Sequence, residues 1–292
     1  MIQIHKLSHR LGQKCVLNGI DLTVPDNTVL GIVGINGAGK STLLRLLAGV
    51  YRPDEGTIRF DGQDPAAAQT RQNIFFLPDD PYCTAAMTPE GLFDFYKVLY
   101  PLADREIYRS LLGAYQLEAT GKMRNFSKGM RRQVFIALAL AVKPKYLLLD
   151  EAFDGLDPLS RKIFKDAVTA LVNQGRTTVL IASHSLRELE GLCHRFVCID
   201  RQQIKTPGDL TQGAAGLCKF ELAFTQKVDE QLFAHLPLAG ISLRGRFVQL
   251  LLKGTAQDLR PQLEALAPAV MDELPLDFEE AFLQDAKKEE WK

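Results

Sequence analysis

A chain of 292 residues with 46% hydrophobic side chains holds enough apolar material for one large domain, or for a domain with an appendage, and excludes general disorder. Lysine plus arginine and aspartate plus glutamate each total 35, so no global charge draws the chain to nucleic acid or to an anionic membrane surface. The longest wholly apolar run, 134–142, is too short to cross a bilayer, and the opening MIQIHKLSHRLGQK has no apolar signal core behind its charges. The five cysteines stand at irregular spacings, as in a reduced, cytosolic protein. Cys193, His194 and Cys198 invite a metal reading but lack a paired ligand set, and none is assigned.

In chain order, IQIHKL and IDLTV come first as alternating strands, VLGIVG leads into a glycine stretch, and GTIRF and NIFFLP follow. YLLLD and TTVLIAS are continuous apolar runs, as strands of a parallel sheet buried on both faces require, and RFVCID closes the series. The fold class predicted is α/β, with an antiparallel portion followed by strand–helix units around a parallel sheet. Residues 88–125 break the rhythm as a helical insertion that opens with Thr88 as cap and Pro89 in the first turn. After TPGDLTQGAAG (206–216) a second, small α+β unit begins. KFELAF, a helix-like QKVDEQLFAHL, ISLRGRFVQLLL, a helix-like TAQDLRPQLEAL and PLDFEEAFLQDA resemble a βαββαβ order. The expected division is 1–210, with a helical subdomain at about 88–142, and 211–292.

GINGAGKS, residues 34–41, satisfies GxxxxGK[ST] between a strand and a helix, the context that a phosphate-binding loop needs. The amides of Asn36, Gly37, Ala38 and Gly39 turn inward around phosphate oxygens, the helix that opens with Ser41 and Thr42 adds its partial positive charge, Lys40 reaches the β- and γ-phosphates, and Ser41 ligates Mg²⁺. A second metal anchor is expected at the end of a buried strand. YLLLDEAFDGLDP supplies it as Asp150, and Glu151 follows where a base would polarise an attacking water. Asp154 reads as a solvated acidic turn.

Between those motifs lies NFSKGMRRQ before the apolar helix VFIALALAV. Phe126, Ser127, Lys128, Gly129 and Met130 stand at the five positions of a stretch that resembles the LSGGQ signature of ABC transporter nucleotide-binding domains. GLDP (155–158) is similar to the family's D-loop, and IASHS puts His184 at its switch histidine. The resemblance covers residues 1 to about 210. It implies an ABC-type P-loop fold and hydrolysis of ATP with Mg²⁺. It also implies head-to-tail pairing, as a homo- or heterodimer, in which Ser127 and the Gly129 amide contact the partner's γ-phosphate. A separate transmembrane permease is implied as partner, docking on the 88–125 insertion and the loop after Asp79, with the protein cytoplasmic and peripheral on the inner face of the membrane. The Ser-Lys-Gly-Met variant resembles the exporter branch. A soluble ABC ATPase acting on ribosomes or DNA, and an importer ATPase, are the alternatives.

Two departures stand out. Leu11 takes the place of an aromatic residue that the family stacks on adenine, which weakens purine discrimination. Asp79, at the end of NIFFLPD, replaces the family's Q-loop glutamine and becomes a third candidate metal ligand beside Ser41 and Asp150.

Overall fold

Alternating apolar residues give the two first strands, β1 (Ile2–Leu11) and β2 (Lys14–Val24), one buried face each, and they pair as an antiparallel hairpin. A further strand, β4 (Glu55–Phe60), joins the free edge of β1 and completes a sheet of order β2-β1-β4. Both hairpin strands run several residues beyond the stretches legible in the sequence, because exposed Lys14 and Arg10 continue the ladder without continuing the apolar pattern. The computed structural model describes residues 1–205 and 217–274, and the chain divides into two compact units, Met1–Lys205 and Thr206–Lys292.

The second sheet of the first unit has the order β5 (Ile74–Leu77), β6 (Tyr146–Asp150), β7 (Thr178–Ser183), β3 (Val29–Val33), β8 (Arg195–Asp200) and β9 (Gln203–Lys205). All neighbours are parallel except β8 and β9. Every residue of β3, β6 and β7 is buried, which accounts for their uninterrupted apolar runs. This order sets the site. Although β7 comes late in the chain, it inserts between β6 and β3. The carboxyl ends of β5, β6, β7 and β3 therefore stand side by side, and the segments that leave them carry Asp79, Asp150 and Glu151, His184, and the loop 34–39.

Helix α1 (Lys40–Leu47) follows that loop. Its Leu43, Leu44, Leu46 and Leu47 are fully buried in one core with Ile2, Leu7 and Ile20 of the antiparallel sheet and Ile32, Leu148 and Leu180 of the parallel one. Burying a leucine stabilises a fold by about 1.5–3 kcal/mol, so the helix that opens at Lys40 is held by both sheets.

Residues 88–125 contain no strand, as expected. After the short α2 (Ala68–Arg71) come α3 (Pro89–Leu99), capped by the Thr88 hydroxyl, which accepts from the Gly91 amide at 3.1 Å, and α4 (Arg105–Ala114), capped by Asp104. Arg105 ties the pair by bonding Glu90 and Asp94 of α3. A 3₁₀ turn at Met123–Asn125 then leads into α5 (Lys128–Ala141), which is buried along most of its length. The remaining helices are α6 (Pro158–Asn173), capped by Asp157, and α7 (Leu186–Leu189). His194, considered above beside two cysteines, instead accepts the Val29 amide at 3.0 Å.

The second unit is an antiparallel sheet of order β11-β12-β10-β13, from β10 (Leu217–Ala223), β11 (Leu238–Arg244), β12 (Phe247–Lys253) and β13 (Val270–Leu274), with α8 (Ala256–Glu264) before the last strand. One expectation changes. QKVDEQLFAHL is no helix beyond a single 3₁₀ turn, Glu230–Phe233, whose Phe233 plugs the core. VMDEL forms a strand that the apolar pattern does not mark, and PLDFEEAFLQDA, with TPGDLTQGAAG, lies outside the described residues.

Candidate functional site

Helix α1 opens without a side-chain cap and without an acidic residue in its first turn. The residue before it, Gly39, has φ 111° and packs so closely that a Cβ there would stand 3.1 Å from Val16 and Leu17. Only glycine fits, and the amides of the first turn, which have no carbonyl partner within the helix, are left without a side-chain cap. Lys40 folds back over the loop. Its Nζ donates to the Gly34 carbonyl at 2.7 Å and the Ile35 carbonyl at 3.3 Å, and lies 3.3 Å from Glu151 Oε1.

Asp150 ends β6 with no exposed surface, and neither carboxylate oxygen has a hydrogen-bond partner. Burial pushes its carboxyl up from the usual range. The Ser41 side chain opposes that shift without completing a hydrogen bond, and the charges of Asp79 and Glu151 add to it. A buried carboxylate with both oxygens orphaned, next to a serine hydroxyl, is a donor set suited to a hard divalent cation.

Glu151 leaves the strand in the left-handed region, φ 46°, held by a bond from its amide to the Ala182 carbonyl at 3.0 Å. Its Oε2 accepts the His184 amide at 3.2 Å and lies 2.9 Å from His184 Nδ1, so Lys40 and His184 grip opposite oxygens of one carboxylate. That carboxylate, bonded to the ring, holds the His184 imidazole above its ordinary pKa despite partial burial. Asp154, read from sequence as a plain acidic turn, comes within 4.8 Å of both, ligand atom to ligand atom. Asp79 is half exposed at the rim, 4.0 Å from Arg45.

A cavity of about 470 Å³ joins these groups, lined by Asn36, Gly37, Gly39, Lys40, Ser41, Thr42, Asp79, Glu151 and His184 from among the expected site residues. Leu11, Lys14 and Val16 of the β1–β2 hairpin, and Asp154, complete the wall. Ala38 and Asp150 sit behind this lining rather than in it. A larger cleft, about 600 Å³, opens at the opposite ends of the strands around Asn73, Pro144 and Thr178 and holds none of the phosphate motifs.

Ser127 and Gly129 are not brought to this cavity. Ser127 is exposed and caps α5, its hydroxyl accepting the Met130 amide at 3.1 Å. Gly129 is pressed against the Gly155 carbonyl, where a Cβ would come within 2.7 Å. Sequence reasoning missed Arg132, which is buried two residues after Met130 and bonded to the main chain at the ends of β5 and β6. Its only sequence signal is an arginine pair in GMRRQ.

The sequence matches the ABC transporter family over residues 17–154. It is 30% identical over 288 residues to the ABC transporter ATP-binding protein YtrB of Bacillus subtilis, covering 97% of each chain. To the Nod factor export ATP-binding protein I of Burkholderia lata it is 35% identical over 209 residues, 68% of this chain and 67% of that one. A solved ATP-binding subunit of an ABC transporter superposes with a TM-score of 0.66 at 25% identity, over 74% of this chain and 93% of the other. The P-loop, the acidic strand end and the fold around them agree with these likenesses, and the chain belongs to the ABC transporter ATP-binding proteins, an ATPase of that type.

Proposed function

We propose that the protein is the ATP-hydrolysing subunit of an exporter, acting with Mg²⁺ and driving a separate transmembrane permease from the cytoplasmic face. The observation that carries this is the convergence of Lys40, Ser41, Asp150, Glu151 and His184 at adjacent strand ends. Asn36, Gly37, Ala38, Gly39 and Thr42 cradle the phosphates with main-chain and first-turn amides. Ser41, Asp150 and Asp79 provide oxygens for Mg²⁺, which when bound offsets the charge of the phosphates. Glu151, held between Lys40 and His184, is the base that orients the attacking water, and His184 keeps its carboxylate aimed. Ser127 and Gly129 serve the partner subunit's nucleotide. The catalytic work lies within 1–210, and 211–292 is assigned an accessory role.

The base of the nucleotide lies against Leu11, Lys14 and Val16, a wall with no aromatic ring. Leu11→Tyr is expected to tighten ATP binding about two- to tenfold, since an aromatic contact contributes about 0.5–1.5 kcal/mol. It should also raise the preference for ATP over UTP. Titration of both nucleotides into each variant measures it, and an unchanged ATP-to-UTP ratio counts against Leu11 as the base contact.

Support for a membrane partner comes from α3. Phe95, Val98 and Leu99, at helical spacing on one face, and Leu102 just beyond are all exposed, Val98 at 81% and Leu102 at 82%, and Tyr82 in the loop after Asp79 is barer still. Among the described residues no helix is long and apolar enough to cross a membrane. Export is favoured by the Ser-Lys-Gly-Met sequence and by a relative named for export. The test is purification from detergent-solubilised membranes. A multispanning protein should accompany the wild type and be lost from Val98→Asp/Leu102→Asp at unchanged basal ATPase. If the wild type carries no membrane protein, the transport reading fails.

A further inference from the structure

Arg132 lies in α5, one turn beyond the Ser127 cap, and is 4% exposed. Nη1 donates to the carbonyl of Pro78 at 2.6 Å and of Asp79 at 3.0 Å, and Nη2 donates to the carbonyls of Asp150 and Glu151, the latter at 2.6 Å. Nε has no partner. All four acceptors are main-chain carbonyls where β5 and β6 run out, the points at which the two strands stop satisfying one another. Burial works against the charge of this guanidinium, and the nearby carboxylates of Asp154, Asp150, Asp79 and Glu151 sustain it.

A surface arginine would meet water, and a purely structural buried arginine would more often meet a carboxylate. Here the planar fork has one tine on the segment of Asp79 and the other on that of Glu151. The helix bearing it is also locked to the loop after Glu151, because Gly129 packs directly on the Gly155 carbonyl. The three segments that carry Asp79, Glu151 and Ser127 are thereby joined within one subunit.

We propose that Arg132 is a positioning residue for hydrolysis, fixing the backbone of Glu151 relative to Asp79 and to the helix that bears Ser127. The proposal rests on the ATPase reading above. A movement of α5 against a partner's nucleotide is then carried to Glu151 of the same chain, with Arg132 touching neither nucleotide nor water.

The test separates charge from geometry. Arg132→Lys keeps the cation but offers a single ammonium, which cannot span both carbonyl pairs in one plane. With misplacement of the base, kcat is expected to fall about 10- to 100-fold, as misplacements of an ångström do, while KM for ATP stays within about threefold and the melting temperature stays near that of wild type. Arg132→Gln, neutral and able to reach one pair, should show the same split. In the wild-type chain, amide exchange at 79–83, 128–131 and 151–155 should slow together when ATP is added without Mg²⁺. Wild-type kcat in Arg132→Lys overturns the proposal, as does a loss of kcat and KM together in step with lost thermal stability, or independent exchange of the three segments. Glu151→Gln is measured alongside. If it is slow while Arg132→Lys is fast, only this assignment falls; if Glu151→Gln is itself fast, the ATPase assignment of Glu151 falls with it.

Discussion

Glu151→Gln is expected to bind ATP at least as well as wild type while hydrolysing it about 10²–10⁴-fold more slowly, the range for removing a general base. The amide keeps the shape of the side chain and can still accept the His184 amide hydrogen, so the loop after β6 should hold. What it loses is the capacity to take a proton from water. Affinity should not fall, because Lys40 Nζ now stands 3.3 Å from a carboxylate that competes for it with a phosphate, and the substitution removes that competitor. With Mg²⁺ and ATP present, slow turnover should let the closed dimer accumulate, visible by light scattering. Ala at position 184 is expected to lower kcat as well, with KM little changed, since it frees one oxygen of Glu151. Full turnover in Glu151→Gln would take the residue out of the mechanism.

How much of this site was legible in advance depends on whether its chemistry is local in sequence. The P-loop was legible because one turn of backbone builds it, so its glycines and lysine must be neighbours. Asp150 was legible because a buried parallel strand announces itself as an apolar run and its end is where a carboxylate meets the loop. The role of His184 was assigned by resemblance, and its contact with Glu151 was not foreseen, because its physical cause, β6 beside β7, appears only in the sheet order. Arg132 had no such signal. Its acceptors are carbonyls, which every residue has, and they lie up to 54 positions away. The second unit misled for a different reason. Val228, Leu232, Phe233 and Leu236 fall at helical spacing, and they do face one core, but Pro237 and a short connection leave room for a single 3₁₀ turn. Among the described residues its final strand is a mostly exposed edge that places Met271 against the core, so no alternation marks it.

The other large effect concerns the two halves of the site. Ser127 and Gly129 stay away from their own cavity, and Ser127 is exposed at the start of a helix, where the first amides have no carbonyl partner within the helix. In a head-to-tail pair each complete site takes Lys40 from one subunit and Ser127 from the other, and this predicts complementation. Lys40→Ala leaves the phosphates without their buried cation, and Ser127→Arg fills the place of the partner's γ-phosphate at the cost of a helix cap, about 1 kcal/mol. Each variant alone should be inactive in a homodimer. In a mixed dimer one site carries both lesions and the other carries neither. An equal mixture that exchanges subunits freely has about one quarter of its sites intact, because a closed two-fold assembly pairs at random, and ATPase should return to that level if the sites fire independently. Less recovery, with mixed dimers demonstrated by differential tagging, means that one intact site needs the other to turn over. No recovery at all, with neither variant inhibiting added wild type, would mean that hydrolysis does not draw on Ser127 from a second chain.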